Sequence, residues 1–124
     1  MNDTTILVVD DEPQIRRVLR ATLSGNGYDV VEAKNGQEAI EVMLEEHPHL
    51  ILLDVNMPVM NGLDCVKAVR EAKLHPSMKV MMVTTEADNS FITTALDNGA
   101  DEFLMKPFTP ESLREKMMLL GFAA

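Results

Sequence analysis

A single cysteine, Cys65, is the whole thiol content of this chain. An internal disulfide is therefore excluded, and a reducing compartment fits. No apolar run approaches the ~20 residues that a helix needs to span a bilayer. The first residues, Met1-Asn2-Asp3-Thr4-Thr5, lack the basic flank of a signal peptide. Positive charge is scarce, with 11 Lys and Arg against 20 Asp and Glu, a formal net charge of −9. That balance opposes direct binding to nucleic acid, which needs a basic face. It also opposes docking on anionic lipid. Repeats, linkers and low-complexity stretches are missing too. The expectation is a cytoplasmic monomer with neither nucleic acid nor membrane as a partner.

What the chain does have suits a packed domain. Its 124 residues are 46% hydrophobic and 25% charged, enough for one domain over residues 1–124 with a real core. Ten methionines are many for this length. They suit gap-filling in a core, although Met117 and Met118 near the C-terminus also suit an adaptable partner surface.

Four apolar runs end in a reactive side chain. Ile6-Leu7-Val8-Val9 leads to Asp10-Asp11, and Leu50-Ile51-Leu52-Leu53 leads to Asp54. Val80-Met81-Met82-Val83 leads to Thr84, and Phe103-Leu104-Met105 leads to Lys106. Short apolar runs alternating with helical stretches read as buried parallel strands. Tyr28 to Val31 reads as a further strand, polar enough for a sheet edge.

Helices fill the intervals. Pro13 opens the first, with Ile15, Val18, Leu19 and Leu23 at helical spacing, and Gly25-Asn26-Gly27 ends it. Asn35 with Glu38 resembles a capping box, Ala39, Ile40, Met43 and Leu44 form a stripe, and His47-Pro48 stops it. Leu63, Val66 and Val69 mark the third helix, which stops before His75-Pro76. Asp88 or Asn89 caps the fourth, which buries Ile92, Ala95 and Leu96 and ends at Gly99. Thr109 caps the fifth, with Pro110 first, and Leu113, Met117 and Leu120 turned inward. Five βα units with right-handed crossovers make an α/β fold, a doubly wound five-stranded parallel sheet with five helices.

In such sheets ligands bind beyond the carboxyl ends of the strands. Three carboxylates, a hydroxyl and an ammonium therefore share one rim. Two carboxylates ~4 Å apart repel by roughly 4 kcal/mol at an effective dielectric of about 20, so the cluster needs a counter-charge. Hard oxygen ligands favour Mg²⁺, and no His or Cys near these ends suggests zinc. Each residue also has a plainer reading. Asp10 and Asp11 suit the positive start of a helix, Lys106 a solvated site, Thr84 an ordinary strand end and Phe103 a core or edge aromatic. Lys106 otherwise faces Asp54 or an incoming phosphate. His47, His49 and His75 fall at the wrong end of the sheet and read as surface or capping residues.

Four segments in order resemble the response-regulator receiver family. They are Val8-Val9-Asp10-Asp11-Glu12, the stretch from Leu53-Asp54-Val55-Asn56-Met57-Pro58 to Gly62, Val83-Thr84, and Gly99 to Phe108. Together they span nearly the whole chain. Asn56-Met57-Pro58, Glu86 and a chain end just after the fifth helix resemble the family's single-domain chemotaxis members. No DNA-binding output domain is expected in this length. The resemblance implies the flavodoxin-like strand order 2-1-3-4-5. It implies that Asp54 accepts a phosphoryl group from a histidine kinase, with Mg²⁺ held by Asp10, Asp11, Asp54 and the backbone carbonyl of Asn56. Lys106 then contacts a phosphate oxygen, and Thr84 and Phe103 act as a switch read by an output protein such as a flagellar motor component. The Lys106-Pro107 bond is cis in that family. Thr85 stands where the family usually has Ala or Gly, and it rims the pocket with Glu86. Phe103 replaces the commoner Tyr. The implied role is a signalling switch rather than an enzyme, or alternatively a phosphorelay intermediate. A small aspartate-nucleophile phosphatase is disfavoured because Asn56 stands where such enzymes need a second acid. A flavin-binding module of the same fold is disfavoured because Asp10-Asp11-Glu12 repels a flavin phosphate.

Overall fold

The structure, a computed structural model, describes residues 4–55, 62–72, 76–85 and 89–122, with the backbone alone at 89–92. Strands and helices alternate five times. The first half holds β1 (Thr5–Val9), α1 (Pro13–Gly25), β2 (Asp29–Ala33), α2 (Gly36–Glu45) and β3 (Leu50–Asp54). The second holds α3 (Gly62–Glu71), β4 (Lys79–Thr84), α4 (Asn89–Asp97), β5 (Glu102–Met105) and α5 (Pro110–Leu119). All pairings are parallel, in the order β2-β1-β3-β4-β5. This is the flavodoxin-like order that the resemblance implied.

Side-chain alternation along each strand sorts the core into two layers. Leu7, Val9, Ile51, Leu53, Val80 and Met82 pack on one face with Ala39 and Met43 of α2, Val66 and Val69 of α3 and Ala95 of α4. Ile6, Val8, Leu50, Leu52, Met81 and Val83 pack on the other with Leu19 and Leu23 of α1 and Leu113 and Met117 of α5. Both faces of the central strands are covered, which is why their sequences run apolar without a break. Edge strand β2 has a single neighbour, so it tolerates Asp29 and Glu32.

Three expected core residues are on the surface instead. Val18 is 52% exposed, Leu44 68% and Leu96 48%. Each stands one residue from a buried neighbour (Leu19, Met43 and Ala95). One residue turns an α-helix by about 100°, enough to carry a side chain off the buried stripe. Strand β2 starts at Asp29, one residue later than expected. The Tyr28 N–H donates to Leu23 O in the turn that closes α1, where Gly27 adopts a φ of 91°. Of the paired methionines, Met117 is core and Met118 is 60% exposed.

The caps follow the sequence closely. Asn35 Oδ1 accepts the Glu38 N–H at 2.8 Å, but the Glu38 carboxylate reaches Lys34 N–H rather than its own cap. Thr109 and Ser112 form a reciprocal box at the start of α5. His47 and His49 line a cleft of about 500 Å³ at the amino end of the sheet, and His49 Nδ1 accepts the Thr5 N–H. Asn89 is the first residue of α4. His75, Asp88 and the Ile92 side chain lie outside the described residues.

Gly62 fixes where α3 meets the sheet. Its N–H donates to Val55 O, and a Cβ added there would stand 2.3 Å from the Asp54 carbonyl oxygen. That contact is with backbone and cannot relax by a rotamer change. Gly62→Ala should therefore lower stability by roughly 1–3 kcal/mol, as overpacking does, and shift the end of β3. A urea midpoint equal to wild type would show that α3 is not seated this closely.

Candidate functional site

The registers bring the strand ends level. Asp54 lies opposite Val83, Thr84 opposite Met105, and Val9 opposite both Ala33 and Leu53. The residues just past those pairs meet at one edge. Asp10, at 1% exposure, directly follows β1, and Asp54, at 4%, ends β3. Thr84 at the end of β4 is buried, whereas Thr85 is exposed. Lys106 follows β5, its N–H donating to Thr84 O at 2.8 Å, and the peptide bond to Pro107 is cis.

Lys106 holds the two buried acids together. Its Nζ donates to Asp10 Oδ2 at 3.0 Å and to Asp54 Oδ1 at 3.4 Å. The sequence pointed to Asp54 or a phosphate as its partner, and the shorter bond is to Asp10. The other Asp10 carboxylate oxygen, Oδ1, accepts the Glu12 N–H at 2.9 Å. Two carboxylates this deeply buried need such a cation, because leaving them unpaired is expensive. Burial, the largest single influence on Lys106, pulls its ammonium down. The hydrogen bond and charge of Asp10, then those of Asp54, outweigh it and hold the group above its ordinary 10.5.

Among the described residues, one group of acids is placed to hold a cation. Oxygens of Asp10, Asp11 and Glu12 lie within 4.8 Å of one another. Asp10 is buried while Asp11 and Glu12 are exposed. An all-carboxylate set open to water on one side suits a hard divalent ion that keeps part of its hydration, as Mg²⁺ does. Glu12 was legible only as part of an acidic run. Its nearness to the other two depends on the turn that the Asp10 carboxylate makes with the Glu12 N–H. Asp54 joins this group through Lys106. A cleft of about 170 Å³ lined by Glu12, Asp54, Thr85 and Lys106 gives access from solvent.

The remaining expected residues divide. By alternation Thr84 falls on the same sheet face as Val80 and Met82. Phe103, partly buried, packs against that same layer. These two therefore share a side of the sheet. Asn56 and Glu86 lie outside the described residues. Cys65 plays no part here; burial pushes its thiol up to about 11, so it carries no thiolate at neutral pH.

A doubly wound sheet with a lysine-bridged acid pair and an acidic turn at its carboxyl edge places the molecule in a recognisable class. The chain belongs to the response regulator receiver domain family, whose model matches residues 6–118. It is 43% identical over 114 residues to a chemotaxis protein CheY homolog of Campylobacter jejuni, covering 90% of this chain and 88% of that protein. It is likewise 43% identical over 119 residues to chemotaxis protein CheY1 of Helicobacter pylori, covering 94% and 96%. Among solved structures, chemotaxis protein CheY4 of Vibrio cholerae superposes with a TM-score of 0.91 at 35% identity, covering 96% of this chain and 99% of that one.

Removing the bridging cation tests the site directly. Lys106→Gln in metal-free buffer should lose about 1–3 kcal/mol, the range for a buried group deprived of its partner. A raised folded-state lysine adds stability that is complete below its ordinary pKa and lost as pH climbs through the elevated one. The gap between wild type and Lys106→Gln in urea should thus be constant through neutral pH and close only above 10.5. Equal stability at neutral pH would contradict the bridge.

Proposed function

We propose that this protein is a two-component signalling switch whose Asp54 accepts a phosphoryl group from a phosphohistidine on a partner kinase. The observation that carries this is a nearly buried carboxylate, held by Lys106 beside an acidic turn yet reached from solvent by a small cleft. An Asp54 oxygen attacks phosphorus, one O–P bond forms and one N–P bond breaks. Lys106 is positioned to meet an oxygen of the incoming group, moving charge from the carboxylates to the phosphoryl. Asp10 and Asp11, with Asp54 and the Asn56 carbonyl, are the proposed Mg²⁺ ligands, and Glu12 stands in the same acid group. When bound, Mg²⁺ offsets negative charge on the transferring group.

The same set supports a switch. Thr84 and Phe103 share one face of the sheet, and the Lys106 N–H already bonds the Thr84 carbonyl. A phosphoryl oxygen that draws the Thr84 hydroxyl opens space into which Phe103 turns. That remodels the side formed by α4, β5 and α5, which a partner reads. Met105 and Met118, 39% and 60% exposed, lie on β5 and α5. Thr85 lines the cleft, and with Glu86 as the second proposed rim residue it sets how water reaches the acyl phosphate. The relatives named above are chemotaxis proteins, which favours a role in chemotaxis with a flagellar motor component as output. One receiver domain over residues 1–124, monomeric and cytoplasmic, completes the reading.

With acetyl phosphate and Mg²⁺, intact-mass measurement should show a single added phosphoryl group, lost in Asp54→Asn. Equal uptake by Asp54→Asn would contradict the assignment. Sustained turnover of an aryl phosphate would point instead to a phosphatase.

A further inference from the structure

Arg16 touches the acid turn from both ends. Its main-chain N–H donates to Glu12 O at 3.2 Å, and its Nη1 donates to Asp10 O at 2.6 Å. Asp10 lies just past the last ladder pair of β1, and its own N–H donates to Ala33 O. Its carbonyl has left the sheet and takes its hydrogen bond from the guanidinium. Arg16 is itself held: its Nε donates to Glu32 Oε1 at 3.2 Å, while Glu32 Oε2 accepts from Arg20. The side chain is 19% exposed. Edge strand β2 thus fixes a guanidinium that fixes the peptide following Asp10.

We propose that Arg16 is a positioning residue for the metal site, setting the Asp10–Asp11 peptide plane and hence where the Asp11 and Glu12 carboxylates stand. The inference rests on the magnesium reading above and assigns it a residue outside the acid group. The planar fork of arginine can serve the Asp10 carbonyl and the Glu32 carboxylate together, which an ammonium cannot copy. Groups that orient ligands from behind commonly change metal affinity by ~10–100-fold when removed.

Charge alone predicts the opposite result. A cation beside three carboxylates repels Mg²⁺, so its removal should tighten binding if Arg16 acted only through its field. Positioning predicts that removal weakens binding. Calorimetric titration of MgCl₂ into the whole protein separates the two. Arg16→Gln should bind Mg²⁺ ~10-fold more weakly than wild type. Arg16→Lys, which keeps the charge and loses the fork, should also be weaker, and it decides the matter if Arg16→Gln fails to fold. Equal or tighter binding by Arg16→Gln, or wild-type binding by Arg16→Lys, would overturn the proposal. A wild-type protein that gives no Mg²⁺ binding would overturn the magnesium reading itself, and this inference with it.

Discussion

The ammonium of Lys106, shared between the buried carboxylates of Asp10 and Asp54, is the interaction on which the site depends. Charges are taken out of water only when paired and hydrogen-bonded. Here the pairing spans the sheet, because Asp10 follows β1, Asp54 ends the adjacent β3 and Lys106 follows β5 two strands further on. A single cation therefore ties together segments 52 and 96 residues from it in sequence. Any further charge brought to this edge changes what Lys106 must balance.

The fold delivers this arrangement by simple means. Parallel pairing keeps every strand's carboxyl end on one edge. Alternation then assigns each side chain a face. Asp54 continues the parity of Leu50 and Leu52 toward α1 and α5, whereas Thr84 continues that of Val80 and Met82 toward α2, α3 and α4. By alternation the two residues thus leave their adjacent strands on opposite faces and meet only at the shared carboxyl edge. Gly62 seats α3 directly on the carbonyl of Asp54, so displacement at that residue reaches a helix without an intervening side chain. At its other end α3 is clamped, Arg70 bonding Gly99 O and Asp101 Oδ2 in the α4–β5 turn. A continuous line of contacts therefore runs from the acid site to the side proposed for partner binding.

Much of this was legible in the sequence because the signals were strong and local. Unbroken apolar runs gave the central strands, the rim residues Asp10, Asp54, Thr84 and Lys106 fell at their ends, and Asn35 and Thr109 marked helix starts. The misplaced core residues have one geometric source. Val18, Leu44 and Leu96 are apolar and adjoin buried positions, and a spacing rule cannot see that one step around a helix leaves the core. Glu12 and Arg16 were not assigned roles because their contacts run through the main chain of a turn, which residue type does not encode. Pairing of Lys106 first with Asp10 was likewise invisible, since it depends on how far β1 and β5 extend past the sheet. The strand order came from the family resemblance rather than from patterning.

Lys106 and Asp10 form an energetically coupled buried pair, and a double-mutant cycle measures that coupling. Asp10→Asn, Lys106→Gln and the double variant would be unfolded in urea in metal-free buffer. A shared buried bridge predicts that the double variant is more stable than the sum of the single losses implies, with a coupling of about 1–3 kcal/mol. Losses that add to within about 0.5 kcal/mol would show two independent groups and no shared bridge.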